Sequence, residues 1–417
     1  DNAPLISPDV SEYMHVAQDL RDFDFDELNI RTPGYPIILL LTGNSIQPPG
    51  RFFYFLQLAA LLGSIFLLVY LLYELSSPLY LVLIFLAFAI TPVFFGSVAW
   101  AITETPVQIF FIWAITGLIL WIWKGDILWL ILFALLIPFC GLIRPSLALL
   151  PAAVIIIMAF YRWLFPSFRE VKGRVIAAII TLAASTLILI GGMIFYNFIK
   201  FDYAGISTRL IYNLPNKTLH GLELIPDEYA EIREILIAHR DSVLVDRHGL
   251  HNGYDYMFGA IKELRAETDL SDRELSALIT NLNLYLIKTN PISYIAEVLR
   301  AAGVFWIPHG QTGYPFNYPR ALIMFIGAGQ GLIFILFFVI TSIIAAVMFI
   351  PNRIRANFAG ESLMTADIRL LTLAIFIITV LYHWITTSAL ALPLPVYRAA
   401  VDIIVLFIVI LGIDSLI

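Results

Sequence analysis

Runs of about 20 apolar residues, almost free of charge, recur along this chain. Each is long enough to cross a bilayer as a helix, because about 20 residues rising about 1.5 Å apiece cover a hydrocarbon core about 30 Å thick. Such runs leave few folding options. In hydrocarbon the backbone must satisfy its own hydrogen bonds, and a helix does so within one segment. The expected fold class is therefore all-α, a polytopic membrane protein. Composition agrees: of 417 residues, 60% are hydrophobic and 13% charged, where a soluble domain carries about 25% charged. Nine spans are predicted, near 53–73, 78–99, 106–123, 127–143, 146–164, 175–198, 321–350, 368–386 and 398–416. The run Ile37–Leu41 is too short to cross and reads as a re-entrant or interfacial piece.

Basic residues in the short loops predict the orientation. Arg162, Arg169, Lys172 and Arg174 share one loop, Arg353, Arg355 and Arg369 another, and Lys124 lies in a third. Alternating the spans puts all three loops on one side, the cytoplasmic one, and residue 1 outside. A chain that starts outside implies a preceding helix, so the sequence reads as lacking its first one. The expected division is 1–51 as a first extracytoplasmic loop, 52–198 as six transmembrane helices, 199–320 as an extracytoplasmic helical region and 321–417 as three more transmembrane helices. Within 199–320, helical periodicity runs over Asp227–Ile237 and Asp272–Val304. Ser271 to Glu274 reads as a capping box, and Asn290-Pro291 as a helix join.

Several function classes lose support at once. The net charge of −6 is small and spread over loops, which argues against nucleic acid as a partner. The single cysteine, Cys140, lies in an apolar run and reads as packing. There is no CxxC, no His-x-x-x-His and no Cys/His cluster to hold structural zinc. The acidic run Arg21–Glu27 lacks the glycine and spacing of a calcium loop and reads as a solvated, Phe-anchored loop. Gly327–Gly331 sits in an apolar span and reads as a small-residue helix contact. Asn216-Lys217-Thr218 is a glycosylation sequon of a kind that chance often supplies.

Ionisable residues gather where the spans meet the outer face. Asp9, Glu12 and Arg31 lie in the first loop, and Glu104 in the outer turn before the third span. Arg144 lies in the turn Ile143-Arg144-Pro145-Ser146, and His309 and Arg320 where the polar region re-enters the membrane. His383 sits near the outer end of its span; Tyr397-Arg398 opens the last span, with Asp402 one turn deeper. Charges at a membrane rim are costly to place and mark functional candidates. Carboxylates mixed with arginines suit a site that activates a hydroxyl and holds a phosphate. Structural readings stand beside these. Asp9 and Glu12 also fit a capping box ahead of the face Tyr13, Val16, Ala17 and Leu20. Arg398 and Asp402, four apart, also fit a self-neutralising helix pair. Arg144 also fits a side chain snorkelling to headgroups, and His383 a satisfied helix residue. Glu104 has no Lys or Arg near it in sequence and must find a partner in space.

The first loop, with Asp9, Tyr13, Ala17 and then Arg31-Thr32-Pro33-Gly34-Tyr35-Pro36, resembles that of the GT-C glycosyltransferases. It is most similar to their bacterial branch related to protein O-mannosyltransferases and the lipid A aminoarabinose transferase. Thr103-Glu104, Arg144-Pro145-Ser146, Asn290-Pro291-Ile292-Ser293-Tyr294 and Tyr397-Arg398 extend the likeness in layout along nearly the whole chain. Two features depart from it. Many relatives carry adjacent Asp-Glu in the loop, and here Glu12 lies three residues after Asp9; the last span lacks the His and Pro that often surround its Tyr-Arg.

The resemblance implies a GT-C-like bundle in a bacterial plasma membrane with its site facing outside. It implies transfer of a sugar from a polyprenyl-phosphate donor to a hydroxyl on a lipid- or polymer-linked acceptor or a protein. Asp9 would be the general base and Glu104 or Glu12 would tune it or orient the acceptor with Tyr13 and His309. Arg144 and Arg398, with Arg31 and Arg320 behind them, would bind the donor phosphate. No cofactor follows from the resemblance, and a divalent cation stays open. The rival readings are a transporter or lipid flippase and a non-catalytic subunit of the same fold. A transporter needs polar groups near the midplane, whereas here the charges lie at one rim.

Overall fold

The computed structural model describes residues 5–6, 9–25, 31–89, 91, 98, 100–164, 171–208, 213–246, 256–268, 270, 272–307, 320–348, 363–390 and 395–415. Two short helices come first, α1 (Val10–Arg21) and α2 (Gly34–Leu41). The first half of the bundle follows as α3 (Arg51–Glu74), α4 (Leu79–Ala89), α5 (Glu104–Lys124), α6 (Ile127–Ile143) and α7 (Leu150–Leu164). It continues through α8 (Lys172–Thr186) and α9 (Gly192–Phe201), which a π-turn at Leu187–Gly191 joins. A polar region holds α10 (Pro215–Thr218), α11 (Ala230–Asp246), α12 (Tyr256–Glu267), α13 (Asp272–Thr289) and α14 (Pro291–Phe305). Three apolar helices close the chain, α15 (Arg320–Met348), α16 (Leu363–Leu390) and α17 (Asp402–Asp414). Six stretches are long and apolar enough to span a bilayer: Arg51–Glu74, Glu104–Lys124, Pro145–Arg162, Lys172–Phe201, Gly327–Ile344 and Asp367–Leu390. The chain is a helical, multi-pass membrane protein.

Charge sorts to the two ends of this bundle. At one end Lys124 Nζ donates to Glu74 Oε1 at 2.6 Å, tying the end of α5 to the end of α3. Arg174 caps the carbonyls of Ile122 and Trp123 at 3.0 and 2.6 Å. Gly125 sits at φ +80°, and an added Cβ would meet the Arg174 guanidinium at 2.8 Å. Only glycine meets both the left-handed turn and the close approach. Arg369 pairs with Asp414 at 3.4 Å, and Ser77 Oγ donates to Asp414 Oδ2 at 2.6 Å. Lys124, Arg174 and Arg369, from the three basic loops, thus share one end; Arg353 and Arg355 lie outside the described residues. Helix α5 then runs 21 residues back to Glu104 at the other end. At about 1.5 Å per residue that is about 30 Å, the thickness of a hydrocarbon core.

The polar region is helical, as its periodicity predicts, and has its own core of Leu222, Leu236, Met257, Ile261, Leu264 and Ile279. Asn290 caps α14 by accepting from the Ser293 N–H at 3.3 Å, so the Asn-Pro join is where α13 ends and α14 begins. Ser271, of the expected capping box, lies outside the described residues. The sequon is folded inward: Asn216, Lys217 and Thr218 are all buried.

Several expectations change. The run 78–99 is helical only over Leu79–Ala89 among its described residues, and Trp100–Ala101 is a strand. It pairs in parallel with Leu5–Ile6, in register Leu5 to Trp100 and Ile6 to Ala101, a local exception to the all-α expectation. The last run begins as a 3-10 turn at Pro395–Ala400, leaving α17 only 13 residues, too short to cross by itself. Among the described residues, a Cβ on Gly329 or Gly331 would meet no atom within 4 Å, so the expected small-residue contact is not found with them. The close approach lies elsewhere, where Gly412 of α17 meets Ile340 of α15.

Gly34 explains the Pro-Gly-Tyr-Pro turn. An added Cβ there would lie 2.5 Å from the Leu142 carbonyl carbon and the Ile143 nitrogen, so α2 rests its first turn on the backbone at the end of α6. Alanine gains about 1 kcal/mol in helix propensity, but overpacking costs about 1–3 kcal/mol and backbone cannot step aside as a side chain can. We expect Gly34→Ala to lower the thermal unfolding midpoint of the purified protein. An unchanged or raised midpoint would show that α2 does not press on α6.

Candidate functional site

Two strands of two residues set the register of the site. Asp9 lies three residues after Ile6 and Glu104 three after Ala101, and Ile6 pairs with Ala101 in parallel. The pairing therefore delivers α1 and α5, with their leading carboxylates, to the same end of the bundle. A two-residue strand is too short to show alternation, so no periodicity announces it.

Arg31 organises the first group. Its Nη2 donates to Asp9 Oδ1 at 2.7 Å, its Nε to Glu12 Oε2 at 2.7 Å, and its Nη1 to the Tyr13 hydroxyl oxygen at 3.0 Å. Its guanidinium carbon lies 4.4 Å from the centre of the Tyr13 ring. The Arg31 side chain is 9% exposed, while Asp9 and Glu12 are 57% and 44% exposed. The cation sits behind and the carboxylates in front. Burial opposes the charge on Arg31, but Tyr13, Asp9 and Glu12 outweigh it and lift its pKa above the ordinary value. The capping box is not formed: Asp9 occupies the N-cap position of α1 without a side-chain bond to the helix. The competing partner is Arg31, because an ionised donor makes a stronger bond than a backbone N–H.

The second group is Glu104 with Arg144. Glu104 Oε1 accepts from Arg144 Nη1, and their side chains are only 5% and 11% exposed. Glu104 finds in space the partner its sequence neighbourhood lacks. Arg144 is an ion-pair member rather than a snorkelling side chain, and its guanidinium also lies 4.6 Å from the Tyr397 ring centre. The chain places it there because α6 ends at Ile143 and Arg144 is extended, at φ −132°, ψ 109°.

Tyr13 joins the groups. Its ring packs edge-on against Tyr35 at 5.0 Å. Burial lifts its phenol above the ordinary value; Arg31 and Arg144 pull it down, and Asp9 and Glu104 push it up. One side chain thus feels both ion pairs.

Arg398 is placed differently from the other two arginines. It is fully buried; Nε donates to Asp402 Oδ1 at 2.7 Å, and Nη1 donates to the carbonyls of Phe305 and Ile307 at 3.1 and 2.7 Å. It pins the end of α14 to the 3-10 turn before α17, and it offers a donor phosphate no exposed surface in this structure. The neutralising pair with Asp402 is the reading that holds. His383 is buried with Nε2 donating to the Tyr397 carbonyl at 2.8 Å. Arg320 is the first residue of α15 and its side-chain contacts lie outside the described residues, as does His309 altogether.

Sequence reasoning passed over three polar groups beside the site. The Tyr35 hydroxyl, Thr105 Oγ1 and both amide atoms of Gln108 are buried with no hydrogen-bond partner among the described residues. Gln108 lies four residues below Glu104, a spacing that puts both on one helix face and could have flagged it. Buried polar groups without partners are rare and are commonly completed by a ligand or water. Among the described residues, no set of three or more His, Cys, Asp or Glu side chains converges as a metal site, in the Asp22–Phe25 stretch or elsewhere. Comparison with protein families, curated proteins and solved structures finds no match to the chain.

The buried pair makes a quantitative expectation. Removing one member of such a pair leaves an uncompensated charge and costs about 3–5 kcal/mol, whereas replacing both by apolar groups is often near neutral. Glu104→Leu and Arg144→Leu should each lower stability strongly, and the double variant should recover most of the loss. A double-mutant cycle on unfolding free energies measures this; additive losses would show that the pair is not formed.

Proposed function

We propose that the protein is a glycosyltransferase that moves a sugar from a polyprenyl-phosphate donor to a hydroxyl acceptor, with its site at the outer face of the membrane. The observation that carries the reading is the Arg31 assembly. It presents two half-exposed carboxylates on a fixed cation, at the bundle end where Glu104 and Arg144 are buried together.

In this reading the donor's apolar tail stays in the bilayer and its phosphate lies at the rim. The acceptor oxygen attacks the anomeric carbon from the face opposite the phosphate, so the configuration inverts. The bond from that carbon to the phosphate oxygen breaks, and the phosphate leaves with the electron pair. Asp9 accepts the acceptor's proton, as the more exposed carboxylate of the assembly. Glu12 and Tyr13 orient the acceptor, and Glu104 tunes this charge set. Arg144 and Arg31 supply countercharge to the leaving phosphate. Arg320 stays a second candidate, and Arg398, expected beside Arg144 as a first one, drops behind because the segment carrying Phe305 and Ile307 would have to move first. Gln108, Thr105 and Tyr35 have the hydrogen-bonding capacity to meet sugar hydroxyls.

A transport reading draws on a separate observation. Gln108 and Thr116 of α5 and Gln330 of α15 are buried polar residues within spanning stretches, with side-chain atoms unpartnered among the described residues. Such groups line pathways in transporters.

One experiment separates the two. Purified protein is offered a panel of radiolabelled polyprenyl-phosphate sugars, and sugar transfer or slow donor hydrolysis is measured. We expect turnover by the wild type and a loss of at least about 100-fold in Asp9→Asn, in line with removal of a general base, with donor binding retained. Equal turnover in both proteins would remove Asp9 as the base. Absence of turnover and of donor binding in folded protein would favour transport.

A further inference from the structure

The polar region holds a buried charge that has no partner among the described residues. Lys217, in α10, is 1% exposed, and its Nζ has no hydrogen-bond partner among the described residues. An unpaired buried ammonium is among the costliest groups to place in a protein, and such groups are paired or coordinated. The carboxylate that acts on it through space makes no hydrogen bond to it. Glu297 of α14 is already engaged through both oxygens: Oε1 lies 3.3 Å from His220 Nε2, and Oε2 accepts from Arg300 Nη2 at 2.6 Å and Nε at 2.9 Å.

Among the described residues the cluster therefore sets two cations, Arg300 and Lys217, against one carboxylate at neutral pH, before any protonation of His220. The cluster also meets solvent: His220 and Arg300 are 41% and 36% exposed. We propose that Lys217, His220 and Arg300 form an anion site, and that its ligand is a phosphate group. Phosphate suits it because three donor-bearing side chains surround Glu297, Lys217 of α10, His220 of the 3-10 turn Leu219–Leu224 and Arg300 of α14, and a tetrahedral anion accepts from several directions at once. The lysine's chemistry agrees with the geometry. Burial, and Arg300 beside it, pull its pKa down to about 8 against the pull of Glu297. At neutral pH it is still mainly charged and still lacks an acceptor.

This site is separate from the Arg31 assembly and does not rest on the sugar-transfer reading. The same chemistry could arrive as a free phosphate or phosphorylated soluble ligand, or as a lipid phosphate headgroup, and the test distinguishes them. Full-length protein is titrated with inorganic phosphate in an uncharged detergent, following the thermal unfolding midpoint and binding heat. In parallel it is placed in nanodiscs of phosphatidylcholine with and without phosphatidic acid.

We expect a saturable rise in midpoint in at least one arm. In Lys217→Met that response should weaken at least tenfold, and the ligand-free midpoint should equal or exceed that of the wild type, because a buried charge without acceptor has been replaced by an apolar chain of similar length. Arg300→Gln, at a more exposed position, should weaken the response as well. A response to inorganic phosphate identifies a soluble anion as sufficient, and a response only to phosphatidic acid identifies a headgroup. No response in either arm, or a response undiminished from the wild type in both Lys217→Met and Arg300→Gln, would overturn the proposal. So would a lower ligand-free midpoint in Lys217→Met with an undiminished response in Arg300→Gln, which would make Lys217 a structural residue.

Discussion

A hydrocarbon layer about 30 Å thick admits charge only at its edges or in pairs, and the rest of this structure follows from that constraint. Helix α5 shows it most plainly. It starts at Glu104, ends at Lys124 and carries no charge between them. Both terminal charges are paired, Glu104 with Arg144 and Lys124 with Glu74. The pairings at each end join different helices, so the rule that sorts charge also fixes which helices are neighbours. The basic end is sealed by carbonyl caps and by the pairs Lys124–Glu74 and Arg369–Asp414. The opposite end is different: Arg31 and Glu104 are buried, Arg144 nearly so, and Asp9 and Glu12 face outward.

That asymmetry is what gives the second end chemical potential. A carboxylate held by a buried arginine has a fixed direction and cannot swing away, which is the preorganisation that proton transfer to a defined base requires. Arg31 binds Asp9, Glu12 and Tyr13 through three different nitrogens, and Tyr13 lies within the electrostatic reach of Glu104 and Arg144 as well. The Arg31 assembly and the Glu104–Arg144 pair therefore flank one side chain. The turn Pro33–Pro36 belongs to the same arrangement, since Gly34 brings α2 onto the end of α6 next to Arg144.

Much of this was legible in the chain because bilayer physics writes strong patterns. Six of the nine expected spans follow from apolar runs, while 78–99, 127–143 and 398–416 hold shorter helices; the common end of the basic loops follows from counting Lys and Arg, and the Asn290 cap from one dipeptide. Asp9, Glu12, Arg31, Glu104 and Arg144 were legible as candidates because a rim charge without a sequence neighbour stands out. What was not legible depends on partners distant in sequence. Asp9 and Glu12 look like a capping box until Arg31, 22 and 19 residues away, competes for them. The two-residue strand pair is too short to have a period. Arg398 reads as a rim arginine, and only the fold shows Phe305 and Ile307 closing over it. Lys217 hid within a sequon, where the eye goes to the asparagine.

That the bundle has two distinct ends, with the Arg31 end proposed to face outside, is tested most directly by cysteine accessibility. Cys140 is buried, so a Cys140→Ala background is quiet. Ile46, between α2 and α3, is exposed at the Arg31 end, and Asp126, just after α5, lies at the basic end. Ile46→Cys should react with a membrane-impermeant maleimide in intact cells, and Asp126→Cys only after permeabilisation. Labelling of both from the same side would contradict the two-ended bundle, and the reverse pattern would put the candidate site on the cytoplasmic face.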